Sequence, residues 1–129
     1  MRRSALAEQQ QRVLMVGHTF EYVPAVNYMR DFVARGDLGR VFYVNSTRVN
    51  LGIFQKDINV IWDLAPHDVS MLIYVLQEKP TQVSARGAAY VQAHIEDVAW
   101  VTLGFPSGAM ADIHVSWLDP CKIRRTAVV

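Results

Sequence analysis

The sequence predicts an α+β domain in which an open, mostly antiparallel sheet carries its helices on one face. Three observations favour this class. Helical patterns lie in the first part of the chain, long segments of strand character follow, and tight turns join the later strands. Helices grouped apart from a run of antiparallel strands are typical of α+β domains. The chain has 129 residues, which is the size of one ordinary domain.

The composition excludes several classes of protein. Hydrophobic residues make up 51% and charged residues 19%, which excludes an intrinsically disordered chain. The net charge of +1 gives no basic face for nucleic acid, and no apolar run reaches the ~18 residues of a membrane span. The single cysteine, Cys121, excludes a disulfide framework within the chain. We predict a cytoplasmic protein with no membrane or nucleic-acid partner, since Gln9–Arg12 stands where a signal sequence would be apolar.

The first elements resemble the end of an α/β unit. Residues 3–11 favour a helix, and the apolar run Val13–Val16, closed by Gly17, predicts a short buried strand. We therefore expect residues 1–20 to be the tail of an α/β unit and residues 21–129 to form a second domain. Because Val13–Val16 lacks parallel neighbours, we expect it to join the main sheet or to be shared between chains.

Two longer helices are predicted. Pro24 begins a helix that runs to about Ala34, with Gly36 ending it and Gly39 in the following turn. After a loop over residues 52–60, Asp63 is predicted to cap a helix that runs to about Leu76. Its predicted buried side comprises Leu64, Met71, Leu72, Val75 and Leu76.

Five segments alternate as strands do. They are Val41–Leu51, Thr81–Val91, Asp97–Phe105, Gly108–Leu118 and Ile123–Val129, with a hairpin turn predicted at residues 105–108. In the fourth strand the apolar residues Ala109, Ala111, Ile113, Val115 and Trp117 share one face, opposite Asp112, His114 and Ser116. The polar face is either solvated or shared with a partner. The last strand pattern stops at residue 129, which predicts a domain truncated at its C-terminal end.

The spacing of Asp63 and His67 suggests acid–base chemistry. Four residues apart on a helix, they lie on one face, where a carboxylate orients an imidazole and raises its pKa. A histidine placed there can serve as a general acid or base. The spacing alone favours the simpler alternative, a helix cap at Asp63 and a half-buried structural histidine at position 67.

Three segments, in this order, resemble the Gfo/Idh/MocA family of nicotinamide-dependent oxidoreductases: residues 17–26, 36–41 and 62–68. The likeness spans residues 4–129 and is strongest to the UDP-N-acetylglucosamine 3-dehydrogenase-like branch. It implies an N-terminal Rossmann domain, of which residues 1–20 would be the remnant, followed by an open-sheet substrate and oligomerisation domain at residues 21–129. It also implies that NAD or NADP binds in the parent protein. It also implies a sugar or nucleotide-sugar substrate oxidised at a secondary alcohol, and a homo-oligomer paired through the sheet. An inositol or a free sugar is the alternative substrate.

The resemblance also implies roles for single residues. The histidine of the family's D-x-x-x-H pattern acts in proton transfer, which maps onto His67 with Asp63 as its carboxylate neighbour. Asn59 and Trp62 would line the substrate pocket. The candidate substrate residues on the first strand are Arg48 and Asn50. The Arg48 guanidinium would suit a carboxylate or phosphate, and a solvent-facing strand arginine is an equal alternative.

The departures from the family are as informative. None of the seven glycines forms the G-x-G-x-x-G of a dinucleotide site, so we expect the chain alone to bind no cofactor and to be inactive. His18 is a weak candidate for the cofactor edge. Glu78-Lys79-Pro80 matches the family's catalytic E-K-P but closes a helix, so Lys79 is predicted to be a surface residue.

Two further expectations concern metals and an alternative function. No metal site is expected, because the histidines and Cys121 lack metal-ligand spacing. The alternative to an oxidoreductase fragment is a free-standing, non-enzymatic sheet domain for oligomerisation or ligand binding.

Overall fold

The computed structural model describes residues 2–129 and contains three α-helices, a 3₁₀ turn and five strands within that range. The helices are α1 (Arg2–Gln9), α2 (Pro24–Ala34) and α3 (Val60–Leu76), and the 3₁₀ turn covers Thr19–Tyr22. The strands are β1 (Tyr43–Val49), β2 (Gln82–Ala88), β3 (Val98–Gly104), β4 (Met110–Ser116) and β5 (Ile123–Val128). None of the helices in this range combines the length and apolarity that a membrane crossing requires.

The strands form one open sheet in the order β2-β3-β4-β1-β5. β3 is antiparallel to both β2 and β4, and β5 is antiparallel to β1. Only the β1–β4 pair is parallel among these strands. A parallel pair needs a long crossover, and here it consists of α3, β2 and β3. The predicted α+β class with a mostly antiparallel sheet is confirmed.

The core lies between the sheet and α3. Alternate residues of β4 point toward α3 and are fully buried, as predicted, with Ile113 and Val115 at the centre. Leu72 and Val60 of α3 meet them from the helix side. The other helical layer is α2, which packs on α3 rather than on the sheet: Val26, Met71 and Val75 form a separate small cluster.

The β3–β4 hairpin confirms the turn predicted at residues 105–108. The Phe105 amide donates to the Ala109 carbonyl at 3.0 Å, and the Gly108 amide donates to the Phe105 carbonyl at 2.9 Å. Gly108 has a φ of 86°, a conformation that glycine adopts without steric cost. The five predicted strands all exist, and most of them begin or end slightly inside the expected bounds.

The strand predicted at Val13–Val16 is absent, and this prediction is wrong. The segment is irregular and lies in solvent, with Val13 96% and Leu14 57% exposed. It does not join the main sheet, whose edges are β2 and β5. Four apolar residues form a strand only where another strand offers hydrogen-bond partners, and none of the described residues supplies them.

The N-cap of α3 is Asn59 and not Asp63, so the predicted cap is also wrong. Asn59 has the extended backbone of a cap residue, and its Oδ1 accepts from the Trp62 amide at 3.1 Å. Asp63 lies within the first turn of the helix. The helix ends at Leu76 as predicted, because Gln77 adopts the left-handed conformation that terminates helices.

Candidate functional site

His67 lies near the start of α3, facing the 3₁₀ turn. Its half-buried imidazole meets the ring of Phe20 edge to face, with ring centroids 5.2 Å apart. The 3₁₀ turn holds Phe20 there because it packs against both α3 and α2. The histidine is therefore held against the 3₁₀ turn and remains partly accessible to solvent.

The surroundings of His67 favour its neutral form. Burial lowers the pKa of His67 below its ordinary value of 6.5, and the positive charge of Arg48 lowers it further. The carboxylates of Asp68 and Asp63 act in the opposite direction but are outweighed. The expectation that Asp63 leaves the histidine with a raised pKa is therefore wrong. At pH 7 the imidazole is mostly neutral and can accept a proton.

The hydrogen-bond partner of Asp63 is not the predicted His67. Its Oδ2 accepts a hydrogen bond from the indole Nε1 of the buried Trp117 at 2.9 Å. Within residues 2–129 no hydrogen bond joins Asp63 to His67. Asp63 thus ties the first turn of α3 to the residue that follows β4, and it acts on His67 through its charge alone.

Arg48 forms a buried ion pair with Asp68. Its Nε donates to Asp68 Oδ2 at 2.7 Å and its Nη2 donates to Oδ1 at 3.2 Å. Ser46 Oγ donates to the same Oδ1 at 2.8 Å, so the carboxylate is fully engaged. Arg48 and Asp68 are 5% and 1% exposed, which rules out the solvent-facing arginine that the sequence allowed. The guanidinium is already occupied by a carboxylate of the chain itself.

Phe20 links the ion pair to the histidine. The Arg48 guanidinium carbon lies 4.2 Å from the centre of the Phe20 ring, which in turn contacts His67. A cation over an aromatic face is a favourable arrangement. A series of contacts from Asp68 through Arg48 and Phe20 therefore holds the His67 imidazole in place. Sequence reasoning missed Asp68 and Phe20 as site residues, and the only signal was their place inside the family-like segments.

The remaining predicted substrate residues lie elsewhere around α3. Asn59 and the exposed Trp62 line a cleft of about 520 Å³ that also contains His94 and Lys56. The Asn59 side chain is engaged as the helix cap and also donates to Glu96 at 2.8 Å. Asn50 follows β1 and is held by its backbone amide, which donates to the Ser116 carbonyl at 3.1 Å.

A second cleft, of about 390 Å³, separates the 3₁₀ turn from α3. His18 and Glu21 line it on one side and Pro66 and Tyr74 on the other. His18 is exposed with a φ of 29°. The structure therefore places the charges of Arg48 and Asp63 near His67, puts Asn59 and Trp62 in one cleft and His18 in the other, and leaves Asn50 outside both.

Comparison with known proteins identifies the family. A model described as the GFO/IDH/MocA C-terminal domain matches residues 26–129. The chain belongs to the Gfo/Idh/MocA family. A UDP-N-acetylglucosamine 3-dehydrogenase from Acidithiobacillus ferrooxidans is 30% identical over 115 residues, which are 86% of this chain and 34% of that protein. The uncharacterized oxidoreductase YrbE of Bacillus subtilis is 28% identical over 78% of the chain and 32% of its own length.

Solved structures share the fold. The structure of the A. ferrooxidans dehydrogenase GnnA superposes with a TM-score of 0.75 at 26% identity, over 96% of this chain and 40% of that one. The WlbA dehydrogenase of Bordetella pertussis, solved with NADH and UDP-GlcNAcA, gives 0.85 at 17% identity over 99% of this chain and 44% of that one. The chain spans about a third of the length of the curated relatives it matches.

The described residues of this Gfo/Idh/MocA chain do not fit a nicotinamide dinucleotide. Such a cofactor needs a glycine-rich turn between a strand and a helix N-terminus. The connection from β1 to α3 holds one glycine, Gly52, and the N-terminus of α3 is closed by the Asn59 side chain. The E-K-P lysine, Lys79, lies exposed in the connection after α3, as predicted. Within residues 2–129 no three metal-ligating side chains come together.

Proposed function

We propose that this chain forms the substrate-facing domain of an NAD(P)-dependent oxidoreductase that oxidises a secondary alcohol of a sugar or nucleotide sugar. The observation that carries the proposal is His67: a neutral, half-buried imidazole held by Phe20 at the start of α3. The UDP-N-acetylglucosamine 3-dehydrogenase relative supports the substrate class. The dinucleotide would be held by a Rossmann domain other than the sheet domain formed by this chain.

In this proposal His67 accepts the proton of the substrate hydroxyl. A neutral imidazole near pH 7 has the basicity that general-base catalysis needs. Burial and, after it, the cation of Arg48 lower the pKa of His67, and Phe20 packs against its ring. Asp63 holds the first turn of α3 against Trp117, so that the histidine keeps its place when substrate binds.

The clefts on either side would accommodate the rest of the ligand. The 520 Å³ cleft with Asn59 and Trp62 offers an indole face that is 74% exposed, which suits a sugar ring or a base. Asn50 offers a side-chain amide at the end of β1. The narrower cleft at His18 faces the side of α3 next to His67 and suits the nicotinamide-bearing domain.

We also propose that a second copy covers the open face of the sheet. That face exposes Tyr43, Trp100 and Met110, whose side chains lie on neighbouring strands β1, β3 and β4. Trp100 lies four register positions from the Tyr43–Met110 pair, so the exposed apolar groups extend along this face, and such apolar surface marks an interaction surface. A Trp100→Glu variant should be monomeric in sedimentation at concentrations where the unaltered chain associates. Equal sedimentation of the two would contradict this interface.

The test of the substrate proposal is calorimetric binding of UDP-N-acetylglucosamine to the 129-residue chain. His67→Asn should weaken binding, whereas His114→Asn, which alters the half-buried histidine on the open face of the sheet, should change it less. Equal loss in both variants would contradict the role of His67.

The alternative, a non-enzymatic sheet domain, is favoured by the missing glycine turn and by the exposed sheet face. Self-association without binding of any sugar would support that alternative over the oxidoreductase.

A further inference from the structure

Arg124 is a second arginine on the helix-covered side of the sheet, directly beside Arg48. In the antiparallel β1–β5 pairing, Arg48 is opposite Arg124. Directly opposed residues of neighbouring strands project from the same face, with their Cβ atoms about 4.5–5.5 Å apart. Because Arg48 points to Asp68 on α3, Arg124 also points to the α3 side of the sheet.

The two arginines differ in their partners. Arg48 is buried and its charge is matched by Asp68, whose oxygens are engaged by Arg48 and Ser46. Arg124 is exposed, and within residues 2–129 no salt bridge or side-chain hydrogen bond reaches its guanidinium. Like charges directly opposite each other destabilise a strand pair. The Arg124 guanidinium is therefore available to an anionic ligand on this side of the sheet.

The free guanidinium also lies within electrostatic reach of the candidate base. The positive charge of Arg124 contributes to lowering the pKa of His67, as does that of Arg48. Arg125, the next residue, is opposite Thr47 and projects from the open face instead. The region beside His67 thus contains a neutral imidazole and an unmatched cation on the same side of the sheet.

We propose that Arg124 binds the anionic group, a carboxylate or a phosphate, of the sugar ligand held beside His67. The planar guanidinium offers paired donors that match both groups. The proposal rests on the proposed function and narrows it to anionic sugars. It also assigns to Arg124 the anion-binding role that the sequence suggested for Arg48, whose charge is already matched by Asp68.

The experiment measures binding of four probes to the 129-residue chain by calorimetry at low and moderate salt. The probes are N-acetylglucosamine, glucuronate, glucose 6-phosphate and UDP-N-acetylglucosamine, which supply a neutral sugar, a carboxylate, a phosphate and a diphosphate. The variant is Arg124→Gln and the matched control is Arg125→Gln, which removes the same charge from the other face of the same strand. Thermal unfolding of both variants checks that the fold is intact.

We expect Arg124→Gln to weaken the binding of the anionic probes by roughly tenfold or more, because a charge-assisted hydrogen bond is lost. The neutral sugar should change little, and Arg125→Gln should leave all four probes close to the unaltered chain. The loss should be larger at low salt, since added salt screens an exposed charge. The anionic probe whose affinity falls most shows whether Arg124 binds a carboxylate or a phosphate.

A ligand-free measurement checks the placement of the side chain. In a histidine NMR titration, Arg124→Gln should raise the pKa of His67, because it removes a nearby positive charge, while Arg125→Gln should leave it in place. An unchanged His67 in Arg124→Gln would overturn the placement and with it the proposal.

The binding outcomes separate this proposal from the proposed function. If the neutral sugar binds as tightly as the anionic probes, or if both arginine variants weaken binding equally, Arg124 is not the anion site and the oxidoreductase proposal is unaffected. If no probe binds, the proposed function and this inference fail together.

Discussion

A half-buried histidine lies on each side of the sheet, His67 on α3 and His114 on the open face of β4. Comparing the two shows what distinguishes a reactive site from a contact surface. His67 on the α3 side and His114 on the open side both have a pKa lowered chiefly by burial. Their neighbours differ. Two carboxylates act on each histidine, but the cations Arg48 and Arg124 act on His67 alone of the two. Cations beside a neutral imidazole suit the binding of an anionic ligand.

The aromatic contacts differ in the same sense. Trp100 covers His114 with parallel rings, 4.6 Å between centroids and 2° between planes. Phe20 meets His67 only at an edge. A stacked pair presents a flat, shared surface, which suits contact with another protein face. Burial alone therefore does not distinguish the two histidines.

The largest effect should follow from breaking the ion pair behind His67. Asp68→Ala leaves Arg48 buried without a partner, and we expect a loss of about 3–5 kcal/mol in the free energy of unfolding. Urea unfolding monitored by tryptophan fluorescence measures it. Asp37→Ala, which removes the exposed Arg35–Asp37 pair, is the control and should change little. A loss no larger than that of the control would show that the buried pair does not support the site.

A smaller loss is expected from the cap of α3. Asn59→Ala removes the hydrogen bond to the Trp62 amide and should destabilise the domain by about 1 kcal/mol, the usual value for such a cap. Thermal unfolding checks it. Asn45→Ala, on the exposed face of β1, is the matched control. An unchanged unfolding temperature in Asn59→Ala would mean that another residue caps α3.

The aromatic contact of each histidine can be removed separately. Phe20→Ala uncovers His67 and should raise its pKa toward 6.5 while leaving His114 unchanged. Trp100→Ala should do the reverse, because the stacked indole covers His114. Each variant is the control for the other in an NMR titration of the imidazole signals. A shift of both histidines in either variant would mean that the two faces are not independent.

Stability should depend weakly on pH near the histidine range. Because the folded pKa of each histidine lies below 6.5, the unfolded chain binds more protons than the folded chain as pH falls below that value. The free energy of unfolding should therefore be highest above pH 6.5 and fall as acid is added through the folded pKa values. His67→Gln and His114→Gln should each flatten the slope measured by chemical unfolding at several pH values. A steeper slope in either variant would contradict the lowered pKa of the histidine that it replaces.

Local pattern was enough to predict most of the fold. The five strands, the turn at residues 105–108 and the end of α3 at Leu76 follow from alternation, glycine placement and helical periodicity. The same reasoning failed where the structure of a segment depends on which other residues it contacts. Val13–Val16 has strand composition but no strand beside it. Asp63 resembled a cap because nothing local showed that Asn59 would supply one four residues earlier.

The candidate site was predictable only in part. His67 was found because the D-x-x-x-H spacing is local and resembles a family pattern. The pairing of Arg48 with Asp68 spans twenty residues of sequence and depends on α3 crossing β1, so no spacing rule could reveal it. The register that places Arg124 beside Arg48 depends on β5 joining β1 instead of its neighbour in sequence, β4. Both features decide the charge around His67.

The most direct test of the role of His67 is an NMR titration of the histidine side chains with UDP-N-acetylglucosamine. We expect the imidazole signals of His67 to move as ligand is added, while those of His114 stay in place at a protein concentration that keeps association constant. Movement of His114 with a stationary His67 would contradict this role, because the ligand would then bind the open face of the sheet.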